Sequence, residues 1–134
     1  MMSLIACMKA ESSRLDGVWQ SSPVRLKRDT LDETYVFRVR LQSSEAGVMD
    51  VTYWTTGELA GKRLIRQTLQ VEVNGSRLAL RGGDPQHVSG PDLEGVYAPD
   101  DLYCELPASE RLKCSWGSEA NEGALSVSLE RREQ

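Results

Sequence analysis

The sequence predicts an all-β protein, an antiparallel up-and-down meander closing into a small eight-stranded barrel. Three observations predict it. Apolar and polar residues alternate with period two in one segment after another, no segment keeps a helical period beyond a couple of turns, and short turn-forming stretches separate the alternating runs. About eight or nine strands can be read this way, and a meander of that length closes most simply as a barrel, which removes exposed sheet edges. A two-layer sandwich is the competing architecture. The 134 residues, 40% hydrophobic and 27% charged, suit one globular core and not two.

The first strand is read around Gly17-Val18-Trp19-Gln20, followed by a short basic stretch at residues 24 to 28. In the next run Tyr35, Phe37, Val39 and Leu41 share one side, which Met49, Val51 and Tyr53 continue after a turn at residues 43 to 47. That turn sets Leu41 opposite Met49, Val39 opposite Val51 and Phe37 opposite Tyr53. On the outer face it sets Arg40 opposite Asp50, a favourable pair, and Val36 opposite Trp54. Asn74-Gly75 is a strong two-residue hairpin signal, since both central positions of a type I′ turn need positive φ. It pairs Val71 with Leu78 and Leu69 with Leu80 inside, and Glu72 with Arg77 outside. A long Gly- and Pro-rich loop spans residues 82 to 99, interrupted by a strand at 93 to 98. The last strand runs from residue 123 to about 132, with Leu125, Val127 and Leu129 inward.

Two cysteines sit on facing alternating runs. A hairpin centred at Ser109 sets Leu106 against Leu112, Cys104 against Cys114 and Leu102 against Trp116. Directly opposite residues have Cα atoms about 4.5–5.5 Å apart, within disulfide range. A Cys104–Cys114 disulfide in an oxidising compartment is expected, and two buried free thiols are the alternative.

Asp16-Gly17-Val18-Trp19 opens the first strand with a G-x-W pattern, and Arg131 continues the inward parity of Leu125, Val127 and Leu129. In these features the chain, from about Asp16 onward, resembles the calycins, the group of lipocalins, fatty-acid-binding proteins and avidins. The resemblance implies a barrel whose closed end is plugged by Trp19, with the Arg131 guanidinium stacked across the indole and Gly17 beside them. The T-D-Y type motif of lipocalins is missing, and Trp19 can equally be read as an ordinary core tryptophan. An eight-stranded interior is either just filled by side chains or admits one small ligand. The inward candidates for contact with an apolar ligand are Tyr35, Phe37, Met49, Tyr53, Leu69 and Leu102.

Near the start, Leu4-Ile5-Ala6-Cys7 resembles the lipobox of bacterial lipoproteins, in which the cysteine receives diacylglycerol and becomes the first mature residue. The resemblance implies lipidation of Cys7, a membrane anchor, and residence at the periplasmic face of a bacterial cell envelope. Residues 1–14 then form a lipobox remnant and polar tether, and residues 15–134 the barrel domain. The basic region and most of the apolar region of an export signal do not precede Cys7, so either the start is clipped or misassigned at Met1 or Met2, or the match is accidental and the protein is cytoplasmic.

Chemistry is sparse. A net charge of -4 argues against nucleic acid as a main partner. The single histidine, His87, falls in the long loop without a nucleophile motif, and one histidine with two paired cysteines supplies no zinc set. No cofactor or metal is expected. Asp84, Asp92, Glu94, Asp100 and Asp101 fit no calcium-loop spacing and are expected to form a solvated acidic loop. Val36, Trp54 and Val48 form an outer apolar group, either covered by a terminal segment or open to a partner. The functional expectation is a non-enzymatic envelope lipoprotein binding a small apolar ligand. The alternative is a protein-binding module, such as an inhibitor of, or immunity protein against, an exported hydrolase. Small G-x-W barrels with one disulfide resemble bacterial metalloprotease inhibitors in that respect.

Overall fold

A computed structural model describes residues 15–28, 31–42, 46–57, 61–93, 95–106, 110–117 and 125–132. The strands among them are β1 (Gly17–Ser21), β2 (Val24–Arg28), β3 (Leu31–Leu41), β4 (Ala46–Thr55), β5 (Arg63–Asn74), β6 (Arg77–Ser89), β7 (Asp101–Glu105), β8 (Arg111–Trp116) and β9 (Leu125–Arg132). The described residues contain no helix. Sequential strands pair antiparallel from β2 round to β9, β9 pairs with β1, and β1 also pairs with β3. β1 and β3 to β9 thus close a ring of eight strands.

The short β1 and β2 lie along successive halves of the long β3, β1 against residues 38–41 and β2 against residues 31–35. At the break between them the Phe37 N–H has no strand partner. It donates instead to the inward Ser21 hydroxyl at 2.9 Å, which satisfies a buried donor.

The alternation read from the sequence puts one face inside. Trp19, Phe37, Val39, Met49, Val51, Ile65, Leu80, Leu102, Leu112 and Leu129 have no accessible surface. Each such side chain contributes about 1.5–3 kcal/mol relative to leaving it exposed. The cysteine hairpin has the expected register, with Leu102 opposite Trp116, and Cys104 opposite Cys114 in a disulfide with Cα atoms 3.9 Å apart.

Two other registers are corrected by a slip of two residues. β3 and β4 pair Leu41 with Gly47, Val39 with Met49, Phe37 with Val51 and Tyr35 with Tyr53. Asp50 therefore faces Arg38 and not Arg40, and Trp54 faces Thr34 and not Val36. A slip of two keeps every side chain on its own face, so the hydrophobic pattern is blind to it. Gly47 permits the observed register: a Cβ there would lie 2.6 Å from the Arg40 carbonyl oxygen, an approach only glycine allows. In the next hairpin Asn74 pairs with Arg77, Val73 with Leu78, Glu72 with Ala79 and Val71 with Leu80. Of the expected turn pair only Gly75 has positive φ, at 63°, so the two-residue loop is Gly75-Ser76 with glycine first, the type II′ requirement.

The long loop is also corrected. β6 continues to Ser89, so the loop begins at Gly90, and the described residues of the strand expected at 93 to 98 are not in a strand. Register shifts in the β5–β6 pairing and a positive φ of 48° at Asp84 absorb the Gly82-Gly83-Asp84-Pro85 stretch into a bulge. Beyond Arg81, β6 has no pairing to β7, so Pro85 costs no ladder bond on that side. His87 accordingly lies on β6, exposed, opposite Ile65.

Candidate functional site

The six interior candidates all reach the shared core, where they are packed by side chains. Phe37, Met49 and Leu102 have no accessible surface, and Leu69, Tyr35 and Tyr53 retain 4%, 7% and 9%. The rings touch one another: Tyr35 and Tyr53 stack at 5.3 Å between centroids, and Trp116 lies 4.7 Å from Tyr35 and 5.0 Å from Phe37.

Each end of the ring carries a distinct plug. Where β1 begins and β9 ends, Trp19 and Arg131 are directly opposite in register, and the guanidinium carbon of Arg131 sits 4.3 Å from the centre of the indole. Trp19 Nε1 donates to the Leu15 carbonyl at 2.8 Å, while Arg131 donates to the Asp16 carbonyl and pairs with Glu110. Gly17, with φ of 126°, passes beneath: a Cβ there would stand 3.0 Å from Arg131 Nη1.

At the other end the described residues of 90–100 return across the aromatic cluster, with the Tyr97 ring 5.5 Å from that of Tyr53. Asp100, expected to be solvated, is 6% exposed. Its Oδ2 accepts from Tyr97 Oη at 2.7 Å and Gln67 Nε2 at 2.8 Å, and its Oδ1 accepts from Trp116 Nε1 at 2.9 Å. Its backbone N–H donates to Gln67 Oε1 at 2.8 Å, and its carbonyl accepts from Gly82 N at 2.9 Å. Burial pushes the Asp100 carboxyl above the usual carboxylate range, and the three donors offset part of that shift. Burial, with the Asp100 carboxylate second, pushes the Tyr97 phenol far up, so it stays a donor. The returning segment is also tied at its start, where Arg63 donates to the Pro91 and Asp92 carbonyls at 3.1 and 3.3 Å.

The sequence did hold a signal for this cluster. Gln67 falls on the inward parity between Ile65 and Leu69, a polar residue at a core position that has to find partners. Gly82 makes room for it, since a Cβ there would lie 2.2 Å from Gln67 Oε1.

Outside the ring, Val36, Val48 and Trp54 are half-buried, and the Lys62 ammonium lies 4.6 Å over the Trp54 ring. A recess of about 260 Å³ is lined by Arg38, Arg40, Gln42, Val48, Asp50 and Arg66. A larger one of about 630 Å³ lies over the outer face of β5 to β9, around Arg81 and Tyr103. Among the described residues, no group of three or more His, Cys, Asp or Glu is placed to hold a metal ion. The lipidation candidate Cys7 lies outside the described residues.

No protein-family model matches this chain, and no curated protein sequence matches it.

Proposed function

We propose that this chain is a non-enzymatic binding protein of the bacterial cell envelope, a calycin-like barrel that holds a protein partner on its outer surface. The observation that carries this reading is the packed interior. Phe37, Met49 and Leu102 leave no surface to a water-sized probe, so an apolar ligand would have to part the core before it could enter. A ring with a filled interior suits a scaffold that presents its surface, as an inhibitor or immunity protein does.

The calycin assignment is supported by Gly17 and Trp19 at the start of the first strand with Arg131 against the indole. Export is supported by the Cys104–Cys114 disulfide, which persists in oxidising compartments. Acylation of Cys7 would then tether the barrel to the membrane through residues 8 to 14.

The test uses the full chain carrying Cys7→Ser, which cannot be acylated. Native mass spectrometry of the purified protein is expected to give the mass of the bare chain. A protein captured from envelope extracts is expected to re-form a stoichiometric complex when both components are pure. A co-purifying apolar molecule, displaced by bulky substitutions at Met49 or Leu102, would overturn the reading in favour of an interior ligand.

A further inference from the structure

The outer face of β9, β1, β3, β4 and β5 carries an uneven distribution of charge. Two rows of directly opposite residues cross it. One runs Arg132, Val18, Arg40, Val48, Thr68, and the other Glu130, Gln20, Arg38, Asp50, Arg66. The acidic members of these rows are already engaged. Asp50 accepts two bonds from Arg66, at 2.8 and 3.2 Å, and Glu130 accepts from Arg111 at 2.8 Å. The side chains of Arg38, Arg40 and Arg132 are exposed, and among the described residues none of them has an ion pair or hydrogen bond. Arg38 and Arg40 therefore stand two residues apart on β3 without an ion pair, in a chain whose net charge is -4, while Arg132 lies on β9, across β1, with the intervening Val18 only 1% exposed. The recess of about 260 Å³ opens between Arg38, Arg40 and the Arg66–Asp50 pair.

We propose that this arginine stripe is the docking surface for an extended acidic segment of a protein partner. The proposal rests on the protein-binding reading above and names the chemistry of the partner. Arg38 and Arg40 are two residues apart on one strand, so their backbones are separated by about 6.6–6.8 Å. An extended chain with carboxylates at alternate positions repeats at that same interval. Each guanidinium fork donates two parallel bonds to a carboxylate, which lysines in the same places would not reproduce. Val48, half-buried between Arg40 and Thr68, gives the intervening side chains of the segment an apolar floor.

The test titrates the full Cys7→Ser chain into a fluorescent peptide of alternating Glu and Thr, with the Lys–Thr peptide and a single-stranded oligonucleotide as comparisons. Anisotropy is expected to show binding of the Glu–Thr peptide alone, weakened severalfold between about 50 and 300 mM salt. The Arg38→Glu/Arg40→Glu double variant is expected to lose about tenfold or more. Arg77→Glu/Lys113→Glu, on the opposite outer face, is expected to stay within about twofold of the parent, with unfolding curves showing both variants folded. No binding of the acidic peptide, equal losses in the two double variants, or tighter binding of the oligonucleotide would overturn the proposal. If a partner from envelope extracts is held equally well by Arg38→Glu/Arg40→Glu, the stripe proposal falls while the binding-module reading stands. If the purified chain carries an interior apolar molecule instead, that reading falls first.

Discussion

Arg131 stacks on Trp19 across the seam where the last strand meets the first, its guanidinium carbon 4.3 Å from the indole centroid. The contact joins the two ends of the described chain and so stabilises the closure of the ring itself. Arg131→Ala removes the cation–π contact and the bond to the Asp16 carbonyl, and leaves the indole facing water. The expected loss is about 1–3 kcal/mol in urea unfolding, with Arg131→Lys restoring less than half because the planar fork is gone. An alanine variant as stable as the parent would show that the seam closes without it.

The Cys104–Cys114 disulfide closes a loop with a sequence separation of 10. Constraining the unfolded chain over so short a loop stabilises by about 2–3 kcal/mol in the chain-entropy account. The double variant Cys104→Ala/Cys114→Ala is expected to remain folded, with its unfolding free energy lowered by that amount, and a reductant is expected to lower the parent alone. Equal response of parent and variant to reductant would contradict this.

Asp100 gives a pH dependence whose sign follows from its surroundings. Burial holds its carboxyl above the ordinary range in the folded chain, so the folded state disfavours the ionised form. The resulting penalty is fully present above the folded-state value, shrinks as pH falls through it, and vanishes below the unfolded-state value near about 3.9. Stability measured against Asp100→Asn, which cannot ionise, is therefore expected to shift in favour of the parent between neutral pH and about pH 4. The absolute cost of the variant mixes in lost acceptor geometry, so the slope alone decides. A difference that is flat with pH, or runs the other way, would contradict the assignment. Tyr97→Phe removes a donor to the charged form and is expected to push the Asp100 carboxyl higher still.

These particulars show where the sequence spoke and where it was silent. Parity was legible because period two is a local property: Phe37, Val71, Leu125 and Leu129 could be assigned a face from their neighbours alone. Register was not, because a slip of two preserves parity, and the observed pairings are ones that Gly47 and Gly75 permit. The disulfide was legible because only one hairpin centre puts both cysteines on the same face at the same level. The Asp100 cluster was hidden for a different reason. Its members come from β5, β6, β8 and the segment before β7, so no local window contained more than Tyr97 and Asp100 together. The arginines Arg38, Arg40 and Arg132 were likewise split between β3 and β9, and only ring closure sets them on either side of Val18 of β1.

Gly82 sets the shape of the Asp100 cluster. A methyl group there would meet Gln67 Oε1 at 2.2 Å and the Asp100 carbonyl at 2.6 Å, and the second of these is backbone that cannot swing aside. Gly82→Ala is expected to cost about 1–3 kcal/mol or more through overpacking. Gly83→Ala, whose nearest neighbour is Thr68 Oγ1 at 3.6 Å, is the control and is expected to cost well under half as much. Equal losses would place the constraint on strand geometry and not on the cluster.

Phe37 stands at the junction of the aromatic cluster and the aliphatic core, with no accessible surface and with Trp116 at 5.0 Å. Phe37→Ala is expected to cost about 3–5 kcal/mol, the transfer contribution plus that of the unfilled space. The same substitution inverts the argument about ligands. The parent interior is closed to apolar molecules because its side chains fill it, so a small aromatic such as benzene or indole should leave the parent's thermal midpoint unchanged. In Phe37→Ala the vacated volume is lined by Tyr35, Trp116 and aliphatic neighbours and should take up such a molecule, raising the midpoint in a saturable, concentration-dependent way. A parent that responds to the aromatic as strongly as the variant would mean its core opens on its own, and the case for a surface partner over an interior ligand would fail with it.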